Sequence, residues 1–498
     1  QGGFIWDWVD QGLWKTGSDG KRFYAYGGDY GTGMPSDGNF LINGIVYADR
    51  TPQPELAEVK KGHEWINFRL LRYRDQVARI QVENLYDFTS LGEFRIEASV
   101  MAEGKILKNL EIPRLDIPPH SGGVTEIDLQ GIGTEPGTEY FLLLEARTRH
   151  ASPGIPTNHL VAHEQIRLPG YKKREIATPG GSLNFEENEN TLIITGKDFK
   201  ATFSKQEGRL TSYLYKGAEL ILQGYGPKPD FWRAPTDNDF GNRMPIRNIN
   251  WKKATLNPQL RNLTTTKNDN GSYSVTAVWD LSETSSSFTT RYTVQGDGSV
   301  RFTNILEASG NEKSDIPRVG MVLCLPAEFD QLTYFGRGPH ENYNDRNVSA
   351  FVGLYSGNAA DQMVPYVRPQ ENGNKTHVRW AALTNAAGTG WMAVSNTPGE
   401  GFEMTAMPYL SQDFDARSGM DYGPIEKEQK HATDVKPRSL VRWNIDLGQR
   451  GVGGVDSWGS LPLEKYRFPT GRNYEYTFTL IPVEEATPGK MAGISKKY

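Results

Sequence analysis

The chain has 498 residues, 37% hydrophobic and 23% charged, with a net charge of −5, which is room for about three globular domains at ~150 residues each, with large buried cores. Without a Lys/Arg block that could track a phosphate backbone, nucleic acid is not an expected partner. No apolar run reaches the ~18 residues of a membrane span, so no membrane partner is expected either.

The first segment covers roughly 1–65. GGFIWDWV reads as a buried strand and Asp10 to Arg50 as a long loop rich in Gly, Asp, Tyr and Trp. PELAEVKKGHEW, from Pro54, reads as a helix with Leu56, Val59 and His63 on one face. A strand, a long loop and a short helix in that order suggest the closing unit of an α/β barrel. Loops of that length usually carry function and line the active site at the C-terminal ends of barrel strands. With nothing ahead of the strand, the expectation is a C-terminal part of a larger enzyme, its bond-breaking residues lying upstream of Gln1.

The second segment, 66–168, carries short strands. ARIQVENL alternates Ala78, Ile80 and Val82 against polar neighbours, FRIEASV alternates Phe94, Ile96, Ala98 and Val100, and YFLLLEART is more continuously apolar. This pattern predicts an immunoglobulin-like β-sandwich acting as a spacer. A linker at 169–176 follows, within LPGYKKREIATPGGS. The third segment, 177–498, is a run of strand signals with no long amphipathic helix, among them TLIITG, RLTSYLYKG, VRFTNIL and RNYEYTFTLIPV. It predicts one large two-sheet sandwich. Cys324, the single cysteine, sits in the apolar run MVLCLPAEF and reads as a core filler. The eight histidines form no HExxH pattern, so zinc is not indicated.

Seven stretches then stand out: GGFIWDWVDQGL, YGGDYG, DGNFLINGIVYADRTPQP at 37–54, FWRAPTDNDFG at 231–241, YFGRGPHENYNDR at 334–346, PYVRPQENGNKTHVR at 365–379 and VGGVDSWG at 452–459. Together, and in this order, they resemble the β-galactosidases of glycoside hydrolase family 2. The resemblance implies a mainly β fold. Its parts are the terminal strand-loop-helix piece of a TIM (β/α)8 barrel, an immunoglobulin-like β-sandwich, and a large galactose-mutarotase-like β-supersandwich. About half of a full-length member would be absent.

By the same resemblance the whole protein would be a bacterial enzyme, expected in the cytoplasm with the periplasm as the other compartment. It would hydrolyse terminal non-reducing β-D-galactose from β-D-galactosides such as lactose, with retention. Both catalytic glutamates and the magnesium (Mg2+) ligands fall upstream of Gln1. No catalytic residue is therefore assigned here, and the chain alone is expected to be inactive. The expected partners are the β-galactoside, the missing N-terminal half or a complementary chain, and further copies in a homo-oligomer. A noncatalytic carbohydrate-binding or assembly module, or a relative acting on β-glucuronides or β-mannosides, are the alternatives.

Four residues match substrate positions. Trp6 lines the galactose pocket, where an indole can lie against the apolar C–H face of a pyranose; a barrel-core tryptophan is the other reading, and Trp8 is the more structural of the two. Phe40, through its carbonyl, and Asn43, through its amide oxygen, match ligands of a sodium ion (Na+) beside the sugar, as hard-cation chemistry allows. Their other reading is a buried Phe and a turn Asn capping the loop. Trp458 matches a tryptophan that stacks on the aglycone, the Asp456-Ser457 step favouring an exposed turn over a strand-end core Trp. Val455 stands where better-known members carry an aspartate.

Asp7, Asp10, Asp37 and Asp49 do not make a convincing catalytic pair. Retaining hydrolysis needs two carboxyls about 5–5.5 Å apart, and these four are expected to bind backbone N–H groups, Arg50 or other loop partners. His340, Glu341 and Asp345, with Glu371 and His377, superficially resemble an epimerase-like acid/base cluster; packing against the barrel is the preferred reading.

Overall fold

The computed structural model describes residues 4–31, 33–35, 41–172, 180–397, 400–415, 430–456 and 459–498. The fold is mainly β. No helix among these residues is long and apolar enough to cross a membrane.

Among the described residues the opening segment forms a bridge rather than a full strand. Of residues 4–9 only Val9 makes a bridge, parallel to Val46. An extended segment becomes a strand through ladder hydrogen bonds to its neighbours, and this one gains a neighbour on one side only. The loop after it is more ordered than its composition suggests: Leu13–Thr16 and Arg22–Ala25 pair as an antiparallel hairpin. Trp14 and Tyr24 face each other in that register, with ring centroids 4.0 Å apart. The helix forms over Glu55–Gly62 behind Pro54. Its expected apolar face is not a core face, since Leu56 and Val59 are half-buried and His63 is exposed. The helix is held by its charges instead. Glu58 accepts the N–H groups of Val348 and Ser349 at 3.1 and 3.0 Å, and Glu55 pairs with Arg346.

The 66–168 region is a seven-stranded sandwich. Ile66–Arg74, Val77–Asn84 and Ser121–Asp128 form one sheet; Lys105–Leu110, Phe94–Ala102, Tyr140–Thr148 and Leu160–Arg167 form the other. Alternation decides the core: Ala78, Ile80, Val82, Ala98, Val100, Leu142 and Leu144 point inward. YFLLLEART reads as continuous because it serves two cores. Leu142 and Leu144 fill the sandwich, while Phe141 packs with Phe335, Val352 and Trp380 of the larger domain. Polar contacts reinforce this joint. Arg379 donates to Glu139 at 2.7 and 3.1 Å, and Gln165 exchanges two 2.8 Å hydrogen bonds with the Val352 backbone. The spacer is thus fastened to its neighbour.

The larger domain has three sheets among the described residues, where two were expected. One nine-stranded sheet runs from Gln259–Lys267 at one edge to Phe351–Asn358 at the other. Two five-stranded sheets share its core. In the first, Phe203 meets Tyr292 edge-on and Tyr213 packs tilted against Trp391, with ring centroids 5.3 and 4.4 Å apart. The second contributes Met321, Met404, Trp443 and Ile445. Each half is too short to cover nine strands, so the sequence, which fixes strand faces but not which edges pair, hides the split. Cys324 is buried here and burial pushes its thiol up to about 12, as suits a core filler.

Candidate functional site

Residues 7–10 and 43–46 run side by side. The Asp7 N–H donates to the Asn43 carbonyl (3.3 Å), Val46 N–H to Trp8 O (3.0 Å), and Asp10 N–H to Val46 O (3.0 Å). This register brings Trp6 and Asn43 to neighbouring positions on adjoining segments. Trp6 is 72% exposed, with Phe4, Ile5 and Trp8 also exposed. The Asn43 side chain does not cap the loop. Its Oδ1 and Nδ2 are buried and have no hydrogen-bond partner among the described residues. Buried polar atoms are nearly always paired, and an unpaired one costs about 1–3 kcal/mol. An orphaned neutral amide oxygen is a suitable ligand for a hard cation, so Asn43 fits the expected sodium position. Phe40, the other expected ligand, lies outside the described residues, as does Asp37.

Beneath Asn43 sits Asp10, which is 4% exposed. One carboxylate oxygen accepts the Gly44 N–H at 2.8 Å and the other accepts Gln53 Nε2 at 3.2 Å. The same Gln53 nitrogen is 3.1 Å from the Gly44 carbonyl. Burial raises the Asp10 pKa to about 6, against the lowering effect of the Gly44 hydrogen bond. Asp7 accepts from Trp8 N–H and Gln11 Nε2 at 2.6 and 2.7 Å, and Asp49 from Thr51 N–H at 2.9 Å. These aspartates hold loops, and Arg50 turns to the Ala48 carbonyl.

Trp458 and Ser457 lie outside the described residues. The loop leading to them is built by the polar blocks singled out in the sequence. Asp345 accepts Val452 and Gly453 N–H at 3.1 and 2.9 Å. Asn238 Nδ2 donates to Val452 O at 3.1 Å, and Arg233 to Gly451 O at 3.0 Å. Arg233 is itself fully buried and forked onto Asp239 at 2.9–3.1 Å. On the far side, Asp456 accepts from Ser460 N–H and Oγ at 3.2 and 2.7 Å, and Val455 is 78% exposed.

The epimerase-like residues do not converge. Glu341 is taken up by Arg346 and the Gly373 N–H, with the Tyr366 hydroxyl lying between it and Glu55. His340 meets Ser349 Oγ at 3.0 Å, Glu371 meets Arg318 at 3.2 Å, and His377 Nδ1 lies 3.0 Å from Glu400 O. Burial, with Arg337 and Arg379 nearby, pushes His377 down to about 4. Among the described residues no group of three His, Cys, Asp or Glu could hold a metal ion.

The sequence reading missed Gln53 and Gly44, whose roles exist only once the two segments lie together. It also missed a pocket of about 280 Å³ between the hairpin and the larger domain, walled by Trp14, Tyr24, Tyr47, Val367 and His431.

Comparison with known proteins places these features. The "Beta galactosidase small chain" family model matches residues 195–480, "Beta-galactosidase, domain 4" matches 80–169, and "Glycosyl hydrolases family 2, TIM barrel domain" matches 1–68. A β-galactosidase of Priestia megaterium is 35% identical over 487 residues, covering 97% of this chain and 45% of that protein. One of Halalkalibacterium halodurans is 33% identical over 489 residues, covering 96% and 45%. The chain therefore spans about 45% of the length of these curated relatives. Among solved structures, a galactose 1-epimerase from Lactobacillus acidophilus NCFM aligns over 62% of this chain and 100% of that chain, with 10% identity and a TM-score of 0.32.

Proposed function

Because the chain belongs to the β-galactosidases of glycoside hydrolase family 2, we propose that it forms part of the substrate site of a retaining β-galactosidase. In this reading its catalytic glutamates are carried on further polypeptide, either continuous with this chain or complementing it. That assembled enzyme hydrolyses terminal non-reducing β-D-galactosides. One glutamic acid protonates the leaving oxygen, a second glutamate attacks the anomeric carbon, and water releases the sugar with the first acting as base.

The chain's own residues bind and orient. The exposed Trp6 indole offers an apolar face to the galactose ring, and Trp458 does the same for the aglycone. Asn43 Oδ1 and the Phe40 carbonyl would hold a sodium ion, which when bound adds positive charge and oxygen coordination beside the sugar. The magnesium site, like the glutamates, is assigned to the further polypeptide. The observation that carries the reading is the pairing of an exposed indole with an unpartnered buried amide on two hydrogen-bonded segments.

The test is substitution in the assembled enzyme. Trp6→Ala and Asn43→Ala each raise KM for an aryl β-galactoside about tenfold, equivalent to about 1.4 kcal/mol. Unchanged KM in both variants would remove these residues from the substrate site.

A further inference from the structure

We infer that Asp10 is the positioning residue that sets Trp6 and Asn43 in a common register for substrate, an inference that rests on the function proposed above. One peptide unit, Asn43–Gly44, is held at both of its polar ends. Its carbonyl, from Asn43, accepts the Asp7 N–H at 3.3 Å. Its N–H, from Gly44, donates to Asp10 Oδ1 at 2.8 Å. Both polar ends of the peptide are therefore held by residues 7–10, and the Asn43 Cα is fixed with them. The Asp7 N–H belongs in turn to the Trp6–Asp7 peptide, so the same contact ties the indole-bearing residue to the amide-bearing one.

The Asn43 side chain adds nothing to its own placement, because neither amide atom has a partner among the described residues. Its direction is inherited from the backbone, and Asp10 is the side chain that holds that backbone. Gln53 completes the clamp by bonding both to Asp10 Oδ2 (3.2 Å) and to the Gly44 carbonyl (3.1 Å). The contact is also as close as a backbone permits. A Cβ at residue 44 would stand 2.1 Å from Asp10 N and 2.5 Å from Val9 C, so only glycine fits. Asp10 itself is buried and its two oxygens are taken up by Gly44 and Gln53, so its role is orientation rather than chemistry.

Groups that orient a metal ligand typically contribute 10–100-fold to affinity. In the assembled enzyme, Asp10→Ala is expected to weaken sodium binding about tenfold or more. Sodium affinity is read by calorimetric titration of a non-hydrolysable β-galactoside at a series of sodium concentrations. In turnover the loss falls on KM and on sodium half-saturation more than on kcat. Asp10→Asn keeps an oxygen for the Gly44 N–H and recovers most of the affinity, a rescue that a general folding defect would not show. Should Asp10→Ala fail to fold, Gln53→Ala removes the other half of the clamp and carries the same expected signature. Folded Asp10→Ala or Gln53→Ala protein with wild-type galactoside and sodium affinities would overturn the inference while leaving the substrate site standing. Wild-type enzyme that binds no galactoside, or binds it without regard to sodium, would overturn the site reading and this inference with it.

Discussion

Asn43 leaves two buried amide atoms unpaired, and Arg233 satisfies nearly all of its buried donors. The two residues should respond to truncation in opposite ways. Asn43→Ala removes an unsatisfied group, so the unfolding midpoint of this chain in urea is expected to hold or rise even as substrate binding falls. Arg233→Ala leaves Asp239 charged and buried without its partner, a loss of about 3–5 kcal/mol, seen as a clear drop in the same midpoint. A large destabilisation by Asn43→Ala would mean that its amide is a structural hydrogen-bonding group after all. At this scale the sequence was informative where one residue type carries the chemistry. Trp6 and Asn43 stood out only through the motifs that carry the family resemblance, since a tryptophan can equally fill a barrel core and an asparagine is common in turns. Gln53, between two prolines in TPQP, gave no such signal, since its partners are about ten and forty positions away and are met only through the fold.

Single strands were legible through their alternation, which correctly assigned Ala78, Ile80 and Val82 to a core. Their pairing was not. The opening GGFIWDWV has the composition of a buried strand but finds one bridging partner at Val46, and the hairpin Leu13–Thr16/Arg22–Ala25 lies in what reads as loop. Composition reports how well a segment would fit a sheet, and neighbours decide whether there is one. The strand Phe402–Met407 is buried throughout and carries Glu403 in its interior. Burial raises the Glu403 pKa to about 8, against the lowering effects of Asn374 and the Gln449 N–H. The folded state thus holds a proton that the unfolded chain releases near the ordinary value of 4.5. The stability this proton confers is full below that value and is lost as pH rises through about 8. Urea unfolding at pH 5 and pH 8 should show the fall, and Glu403→Gln should flatten it; an equal slope in the variant would place the linkage elsewhere. The loop that precedes Trp458 depends in the same way on one acceptor. Asp345→Ala frees the Val452 and Gly453 N–H groups, and in the assembled enzyme it should weaken acceptor-sugar use more than hydrolysis of an aryl galactoside, measured as the ratio of transfer to hydrolysis.

Across the whole molecule, the helix Glu55–Gly62 acts as a keystone although none of its residues is fully buried. Its first turn reaches the larger domain through Glu55 and Glu58. Its last turn and Glu64, two residues beyond it, reach the sandwich, Lys61 pairing with Glu64 and Glu164 at 2.6 and 3.2 Å and Glu64 meeting His163 at 2.6 Å. The barrel-type segment, the sandwich and the larger domain are thereby joined through charges, which explains why a helix with so weak an apolar face keeps its place. The loop that bears Trp6 and Asn43 is held against the same body by Asp29, which pairs with Lys430 and His431 at 2.5 and 2.8 Å. These joints present the proposed sugar contacts on a fixed frame. If the chain supplies binding without bond cleavage, hydrolysis of an aryl β-galactoside by material of verified 55.7 kDa mass is the first thing to measure. No turnover is expected from this chain alone and strong turnover once the polypeptide bearing the glutamates is added; strong turnover from the 55.7 kDa species by itself would put the bond-breaking carboxylates on this chain.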